Sequence, residues 1–321
     1  MVRIFLFLAF TTLSGFSFSQ NPFPVKSVRV VIPWPPGQAT DIAARIVGQK
    51  LQEALGQPFV MDNKPGAGGS IGTDIVVKAP ADGYTLLAAS SGPISILPHV
   101  QKAPYDPAKD LAPIAVTTLN NYALVTAPSV PAKNARELVA LLRAHPDEYT
   151  FSSSGAGATT HLIIEAFNAA AGVKARHIPY KGSVPSLTDV MSGQVTYTIE
   201  TLASTMTHVR AGKLRGYGLS LNSRSPSAPE LAPLAEAADL RGFDIGGWSG
   251  YAAPAGTPRE IVQKLSAEIL KAMQSADVRE RFAAIGLDPA VMTPEETAAF
   301  MKRDAERYAQ IVKAANIRLE N

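Results

Sequence analysis

The sequence predicts an α/β protein of two lobes, and three observations carry that prediction. Short apolar, β-branched segments alternate with amphipathic helical ones. The alternation resumes after residue 122, and two glycine-rich turns about ninety residues apart each lead directly into a helix. In order, Val28-Arg29-Val30-Val31-Ile32 is a strand ended by Pro33-Trp34-Pro35-Pro36-Gly37. Thr40 is placed to cap a helix to about Leu55, with Ile42, Ala43, Ile46, Val47 and Leu51 on one stripe. Residues 58–61 form a second strand. The first glycine-rich turn follows, then a helix to about Lys78 and a strand over residues 84–89. This order begins an open, largely parallel sheet.

A similar pattern fills the second half. Residues 122–125 and 149–153 read as strands, and 135–144 and 158–171 as helices. Further strands are expected over 175–178, 195–199 and 214–219, with helices between them; the Pro- and Ala-rich stretch 224–240 is a looser connection. Residues 248–253 form the last strand. Pro258 suits the first position of a helix whose buried stripe is Ile261, Leu265, Ile269, Leu270 and Met273. The expected division is lobe 1 from 20–122 and 247–321, and lobe 2 from 123–246.

Of the 321 residues 46% are hydrophobic and 18% charged, ample for two packed cores. Residues 1–19 read as an export signal: Arg3 starts it, an apolar run from Ile4 to Phe10 follows, and Ser17-Phe18-Ser19 offers a cleavage site before Gln20. The run is well short of the roughly 20 residues a spanning helix needs. There are no cysteines, which excludes disulfides, thiol nucleophiles and thiolate metal sites. The net charge of +3 comes from scattered Lys and Arg, without the clustered basic face that nucleic acid requires. The five histidines, at 99, 145, 161, 177 and 208, lack metal-binding spacings. No metal site and no cofactor is expected.

The two turns are Asn63-Lys64-Pro65-Gly66-Ala67-Gly68-Gly69-Ser70-Ile71-Gly72 and Ser152-Ser153-Ser154-Gly155-Ala156-Gly157-Ala158-Thr159-Thr160-His161. Such turns leave backbone N–H groups at a helix start, where the dipole favours an anion. The first is not a dinucleotide fingerprint, because G-x-G-x-x-G needs glycine where Ile71 stands, and no P-loop motif is present. Both turns and the loop from Pro36 to Thr40 follow strand ends, where open α/β sheets bind ligands. If the lobes face each other, all three lie on one cleft.

Several residues carry two readings. Asp41 either favours the helix start through the dipole alone or orders the binding loop. Trp34 is an aromatic wedge over a ligand or a residue packed under Pro35-Pro36. Lys181, in Pro179-Tyr180-Lys181-Gly182-Ser183, pairs with a carboxylate or is simply solvated. A serine hydrolase acting on a small ester or amide is the alternative function, with Ser152 to Ser154 near His161 and His177 in sequence. Against it, G-x-S-x-G is absent and Ser154 lacks a nucleophile elbow. His161, one turn into a helix, reads as a capping or packing residue.

Four segments together resemble one family. They are Val31 to Arg45, with Pro33-Trp34-Pro35-Pro36-Gly37-Gln38-Ala39-Thr40-Asp41; Asn63 to Gly72 with Ala79-Pro80-Ala81-Asp82-Gly83-Tyr84-Thr85-Leu86; Ser152 to His161 with His177-Ile178-Pro179-Tyr180-Lys181-Gly182; and Tyr251 to Pro258. Their order and number resemble the Bug-type periplasmic receptors of tripartite tricarboxylate transporters. The resemblance implies a Venus-flytrap fold of the periplasmic-binding-protein type that closes on a small carboxylate and delivers it to membrane permease subunits. It implies a monomeric, non-enzymatic periplasmic protein without catalytic residues. Trp34, Pro36, Gly37, Gln38, Thr40, Asp41, Gly66, Ala67, Gly68 and Ser90 would hold the ligand from the first lobe, in part through ordered waters. Ser154, Gly155, Gly157, Thr159, Thr160, Tyr180, Lys181, Gly182 and Glu200 would do so from the second. Two departures bear on the ligand. Gln38 stands where the family usually has a second glycine, and its amide either narrows the site or adds a donor. Ile199-Glu200-Thr201 stands where an Asp and a polar residue are usual; Glu200 either reads a ligand amine or disfavours a second carboxylate.

Overall fold

A computed structural model describes residues 23–314, so the export signal and its cleavage site lie outside the described residues. In chain order the strands are β1 (Val28–Ile32), β2 (Phe59–Asn63), β3 (Thr85–Ser90), β4 (Leu111–Asn120), β5 (Tyr122–Thr126), β6 (Thr150–Ser153), β7 (Arg176–Pro179), β8 (Tyr197–Thr201), β9 (Arg215–Leu219), β10 (Gly247–Pro254) and β11 (Asp288–Pro289). The helices are α1 (Ala39–Leu55), α2 (Ser70–Val77), α3 (Leu97–Val100), α4 (Pro107–Asp110), α5 (Ala135–Ala144), α6 (Thr159–Ala171), α7 (Ser183–Met191), α8 (Leu202–Arg210), α9 (Leu234–Ala237), α10 (Arg259–Gln274), α11 (Ala276–Ala284) and α12 (Pro294–Ala314). They build two sheets, ordered β11-β4-β10-β3-β1-β2 and β7-β6-β8-β5-β9.

Each sheet has one parallel part, β2-β1-β3 in the first and β7-β6-β8 in the second. The rest is antiparallel, because β10 runs back against β3 and β4, and β5 runs against β8 and β9. Val28, Val30 and Ile32 of β1 pack against Val47 and Leu51 of α1 and Leu265 and Ile269 of α10. The second core gathers Leu138, Phe151, Leu162, Phe167 and Tyr197. These are the apolar stripes that the helical and strand periodicities describe.

Three features depart from the sequence reading. Thr40 is not the cap of α1. The N-cap is Gln38, which makes no side-chain bond, and Asp41 in the first turn accepts the Gly37 N–H at 2.9 Å instead. The carboxylate of the third helical residue thus reaches back over the helix start, as in a capping box. Pro258 likewise sits at the N-cap rather than the first helical position of α10. Strand β4 is the third departure: Pro113 interrupts it, and it is buried along most of its length, so it shows no alternation. It pairs with β10 along Gly247↔Asn120 to Pro254↔Leu111, in the middle of the first sheet.

Gly250 makes that pairing possible. The register shifts between Ser249 and Gly250, and a Cβ on Gly250 would lie 2.2 Å from the Ala115 carbonyl oxygen and 3.0 Å from the Val116 Cα. Backbone atoms of a central strand cannot yield to it. Gly250→Ala should therefore lower stability by about 3 kcal/mol; urea unfolding checks this, and an unchanged midpoint would contradict it.

The chain crosses between sheets at Asn120-Asn121-Tyr122 and again at Gly246-Gly247, side by side. Asn121 braces the first crossing: its side-chain oxygen accepts the N–H groups of Tyr122 at 2.9 Å and Leu221 at 3.1 Å. Helix α12 spans both sheets' cores, with Met301 beside Trp248 in one and Tyr308 and Val312 in the other. At its middle, Asp304 accepts the Trp248 indole N–H at 2.7 Å.

Candidate functional site

The carboxyl ends of the parallel strands of both sheets face each other, the position where α/β sheets expose helix starts. Trp34 follows β1, Gly66 to Gly69 follow β2, and Ser90 ends β3. From the other sheet, Ser154 follows β6, Tyr180 follows β7, and Glu200 lies at the end of β8. The two faces touch. Ser91 Oγ and Thr159 Oγ1 are 3.1 Å apart. A Cβ on Gly68 would stand 3.3 Å from the Ala156 carbonyl oxygen, and one on Gly182 3.1 Å from the Pro35 ring. This is a closed cleft.

Closure leaves two adjoining chambers. The inner one has about 30 Å³ of room for water-sized occupants, and is lined by Trp34, Gln38, Ala39, Thr40, Ser90, Ser91, Asn120, Tyr122, Ser154, Thr159, Thr160, Ser183, Glu200, Thr201 and Trp248. The outer one has about 530 Å³ and is walled by Trp34, Pro35, Pro65 to Gly69, Ser154 to Ala156 and Pro179 to Gly182. Trp34 and Ser154 belong to both walls. Trp34 is a packed residue, held against the Gly69 and Gly92 backbone rather than under Pro35-Pro36. Its indole packs where a Cβ on Gly69 or Gly92 would come within 3.3 Å or 3.0 Å, its N–H donates to Ser90 Oγ at 2.8 Å, and its face borders both chambers.

Helix starts from both sheets bring hydrogen-bond donors to the inner chamber. The first intrahelical bond of α1 is Ile42 N–H to Gln38 C=O, and that of α6 is Leu162 N–H to Ala158 C=O. The N–H groups of Ala39 and Thr40, and of Thr159 and Thr160, precede those bonds and have no carbonyl of their own helix to use. All four residues line the inner chamber. Gln38 Nε2 is buried there without a partner. Ser183, the first residue of α7, brings a third helix start to the same wall.

Glycine contributes by close approach rather than by N–H count. The Gly37 N–H is taken by Asp41, the Gly155 N–H by Ser153 Oγ at 3.2 Å, and the Gly157 N–H by His161 Nδ1 at 3.3 Å. Pro36, Gly37, Asp41 and Gly157 stand outside both chamber walls; Gly66, Ala67, Gly68, Gly155, Tyr180, Lys181 and Gly182 wall the outer one. Asp41 orders the loop. It is 2% exposed and accepts from Gly37, from Arg45 Nε at 3.0 Å and from Asn63 Nδ2 at 2.9 Å. Burial pushes its carboxyl up, yet these bonds together outweigh that and hold it below the ordinary range. Tyr180 donates its hydroxyl to Asp189; burial and that acid push the phenol up to about 12. Lys181 is exposed at the outer rim.

Glu200 is the one acid of the inner chamber, and it is fully buried. Oε2 accepts from Ser183 Oγ at 2.9 Å and from the Thr201 N–H at 3.2 Å, while Oε1 has no partner. Burial pushes its carboxyl up to about 7, against the pull of those two donors.

Nothing here assembles a hydrolase. Ser154 Oγ bonds Thr160 Oγ1 at 2.8 Å rather than a base. The serine that meets a histidine is Ser153, 2.7 Å from His177 Nε2. Burial and the stacked His161 ring, 3.9 Å away between centroids, push His177 down to about 3. The histidine–carboxylate pairs among the described residues involve His145 and His161, so no acid orients His177. His161 caps and packs, as its position in the helix suggests. Among the described residues no group of three or more His, Cys, Asp or Glu is placed to hold a metal, and no helix is long and apolar enough to cross a membrane.

Ser91, Asn120, Tyr122, Ser183, Thr201 and Trp248 also line the inner chamber. No local motif announces Ser91, Asn120, Tyr122, Thr201 or Trp248, which come from separate elements. The signal nearest to them is Ser183, which ends the Tyr180-Lys181-Gly182-Ser183 segment.

Comparison with known proteins agrees with this geometry. The model of the tripartite tricarboxylate transporter family receptor matches residues 43–317. Protein BugT of Bordetella pertussis is 36% identical over 304 residues, 94% of this chain and 93% of that protein. Among solved structures, R. palustris Rpa4515 with adipate superposes with a TM-score of 0.88 at 32% identity, covering 92% of this chain and 99% of the other. MatC (Rpa3494) from Rhodopseudomonas palustris with bound malate gives 0.83 at 30% identity, covering 90% and 100%. The chain belongs to the tripartite tricarboxylate transporter receptors, of the Bug type.

Proposed function

We propose that this chain is an exported, monomeric receptor that captures a small carboxylate between its lobes and delivers it to the permease subunits of a tripartite transporter. One observation carries the reading: helix starts from opposite lobes, α1 and α6, converge on one buried chamber together with the unpartnered Gln38 amide. The adipate and malate in the two solved relatives are acids of this class. The N-terminal sequence and the family support periplasmic export with cleavage before Gln20. Trp34, Gln38, Thr40 and Ser90 hold the ligand from 20–122 and 247–321, and Ser154, Thr159, Thr160 and Glu200 from 123–246. Gly66, Ala67, Gly68, Gly155, Tyr180, Lys181 and Gly182 enclose its outer part. Pro36, Gly37, Asp41 and Gly157 set the backbone that does so. The chain binds without turnover and without a cofactor. The two crossings at Asn120-Asn121-Tyr122 and Gly246-Gly247 are the hinge, and ligand contacts made only in the closed form drive closure.

A thermal-shift screen tests the reading. Ligand at a hundred times its Kd stabilises by ~2.7 kcal/mol, a rise of roughly 4 °C in Tm for a chain of this size. At least one mono-, di- or tricarboxylate, aromatic acid or amino acid should give it. No shift with any acid, together with ester or amide turnover lost in Ser154→Ala, would replace the receptor with an enzyme.

A further inference from the structure

We propose that the captured carboxylate also carries an ammonium group, and that Glu200 is the residue that reads it. The inference rests on the receptor reading above and narrows its ligand class to zwitterionic, amino-acid-like acids. Its ground is a mismatch in the inner chamber. Glu200 is fully buried there, with Ser183 and Thr201 satisfying Oε2 and nothing satisfying Oε1. No Lys, Arg or His lines the chamber. A buried carboxylate without a cation is costly, and the cost is relieved by a proton or by a cation that arrives with the ligand.

A second orphan points the same way. Asn120 donates Nδ2 to Ser249 Oγ at 3.0 Å, which leaves its buried Oδ1 without a partner on the same wall. Glu200 Oε1 and Asn120 Oδ1 are acceptors; an ammonium has three donors to give them. Opposite in kind are the donors already described, the Gln38 amide and the starts of α1 and α6, which suit a carboxylate. Acceptors and donors line the same chamber, as an end group bearing both charges requires. The rest of the solute extends past Trp34 and Ser154 into the outer chamber of about 530 Å³. A plain dicarboxylate would set its own charge against Glu200 instead. Burial already pushes Glu200 up to about 7; an incoming ammonium draws it back toward the ionised form, and an incoming carboxylate drives it further up.

The experiment is titration calorimetry of the full mature protein with matched acids that differ only in the amine. The pairs are aspartate against succinate, glutamate against glutarate, and a third built on whichever carbon skeleton gives the largest thermal shift. The amine-bearing member of at least one pair should bind about tenfold tighter or more, equal to about 1.4 kcal/mol. Glu200→Gln, close to isosteric and still able to accept from Ser183, should abolish most of that preference by weakening the amine-bearing member. Equal or tighter binding of the plain acids to the wild type overturns the proposal, as does a preference that survives in Glu200→Gln. If the variant fails to fold, the wild-type ranking decides alone. Absence of binding by every carboxylate would instead overturn the receptor reading, and this inference with it.

Discussion

Gly68→Asp should fold with nearly unchanged Tm and lose ligand affinity by about 100-fold or more. Gly68 lies at φ 63° and ψ 21°, a left-handed conformation that Asp and Asn adopt at little cost among residues with side chains. The atom nearest to the new Cβ is the flexible end of Leu97, in its own lobe, at 3.1 Å. Across the cleft the Cβ meets backbone: the Ala156 carbonyl oxygen at 3.3 Å and the Gly157 carbonyl carbon at 3.4 Å. A carboxylate there opposes both the closing lobe and an anionic ligand, and an open cleft relieves both. Gly68→Asn separates the two effects, because it keeps the bulk and drops the charge; its loss should be smaller. Calorimetry and thermal unfolding read both variants. Affinity within threefold of wild type in Gly68→Asp would mean that these turns do not close on the ligand.

Asp41→Ala should cost about 3 kcal/mol of stability and roughly tenfold in ligand affinity. The substitution strips partners from the Gly37 N–H, Arg45 and Asn63 in one step. The loop that carries Gln38 thereby loses its tie to α1 at Gly37, and α1 loses its tie to the end of β2 at Asn63, while the Asn63 bond to the Trp34 carbonyl at 2.9 Å stays. The effect depends on pH with a definite sign. The folded carboxyl sits below its unfolded value of 3.8, so its contribution is complete above that value and disappears as pH falls through the lower folded one. Urea unfolding at neutral pH and again below pH 4 should therefore find a large gap between wild type and variant that narrows in acid. A gap independent of pH would show that the carboxylate's charge is not what holds the loop.

The elements that announce themselves in the sequence are the ones with one clear period. Helix α1 shows its stripe from Ile42 to Leu51, and β1 is a continuous β-branched run between punctuating residues. Strand β4 was opaque because burial on both faces removes alternation and Pro113 mimics a loop. At the site, the glycine-rich turns are legible as leads into helix starts, yet in the second turn the Gly155 and Gly157 N–H groups are spent internally on Ser153 and His161. Asp41 had two readings at the level of sequence; the bonds to Gly37 and Asn63 decide for loop ordering. Glu200 stood out only as a departure from the family, and its meaning came from the unpartnered oxygen that burial exposes as a mismatch. Asn120, Tyr122 and Trp248 carry no local pattern at all. They reach the inner chamber because two crossings of the chain bring β4, β5 and β10 together.

Small-angle X-ray scattering measures capture by closure itself. The wild-type protein should contract on saturation with the tightest acid found by thermal shift, to the profile calculated for the closed form with both chambers shut. Gly68→Asp should keep the scattering of the ligand-free protein under the same conditions. Saturable binding with an unchanged wild-type profile would contradict the two-lobed clamp.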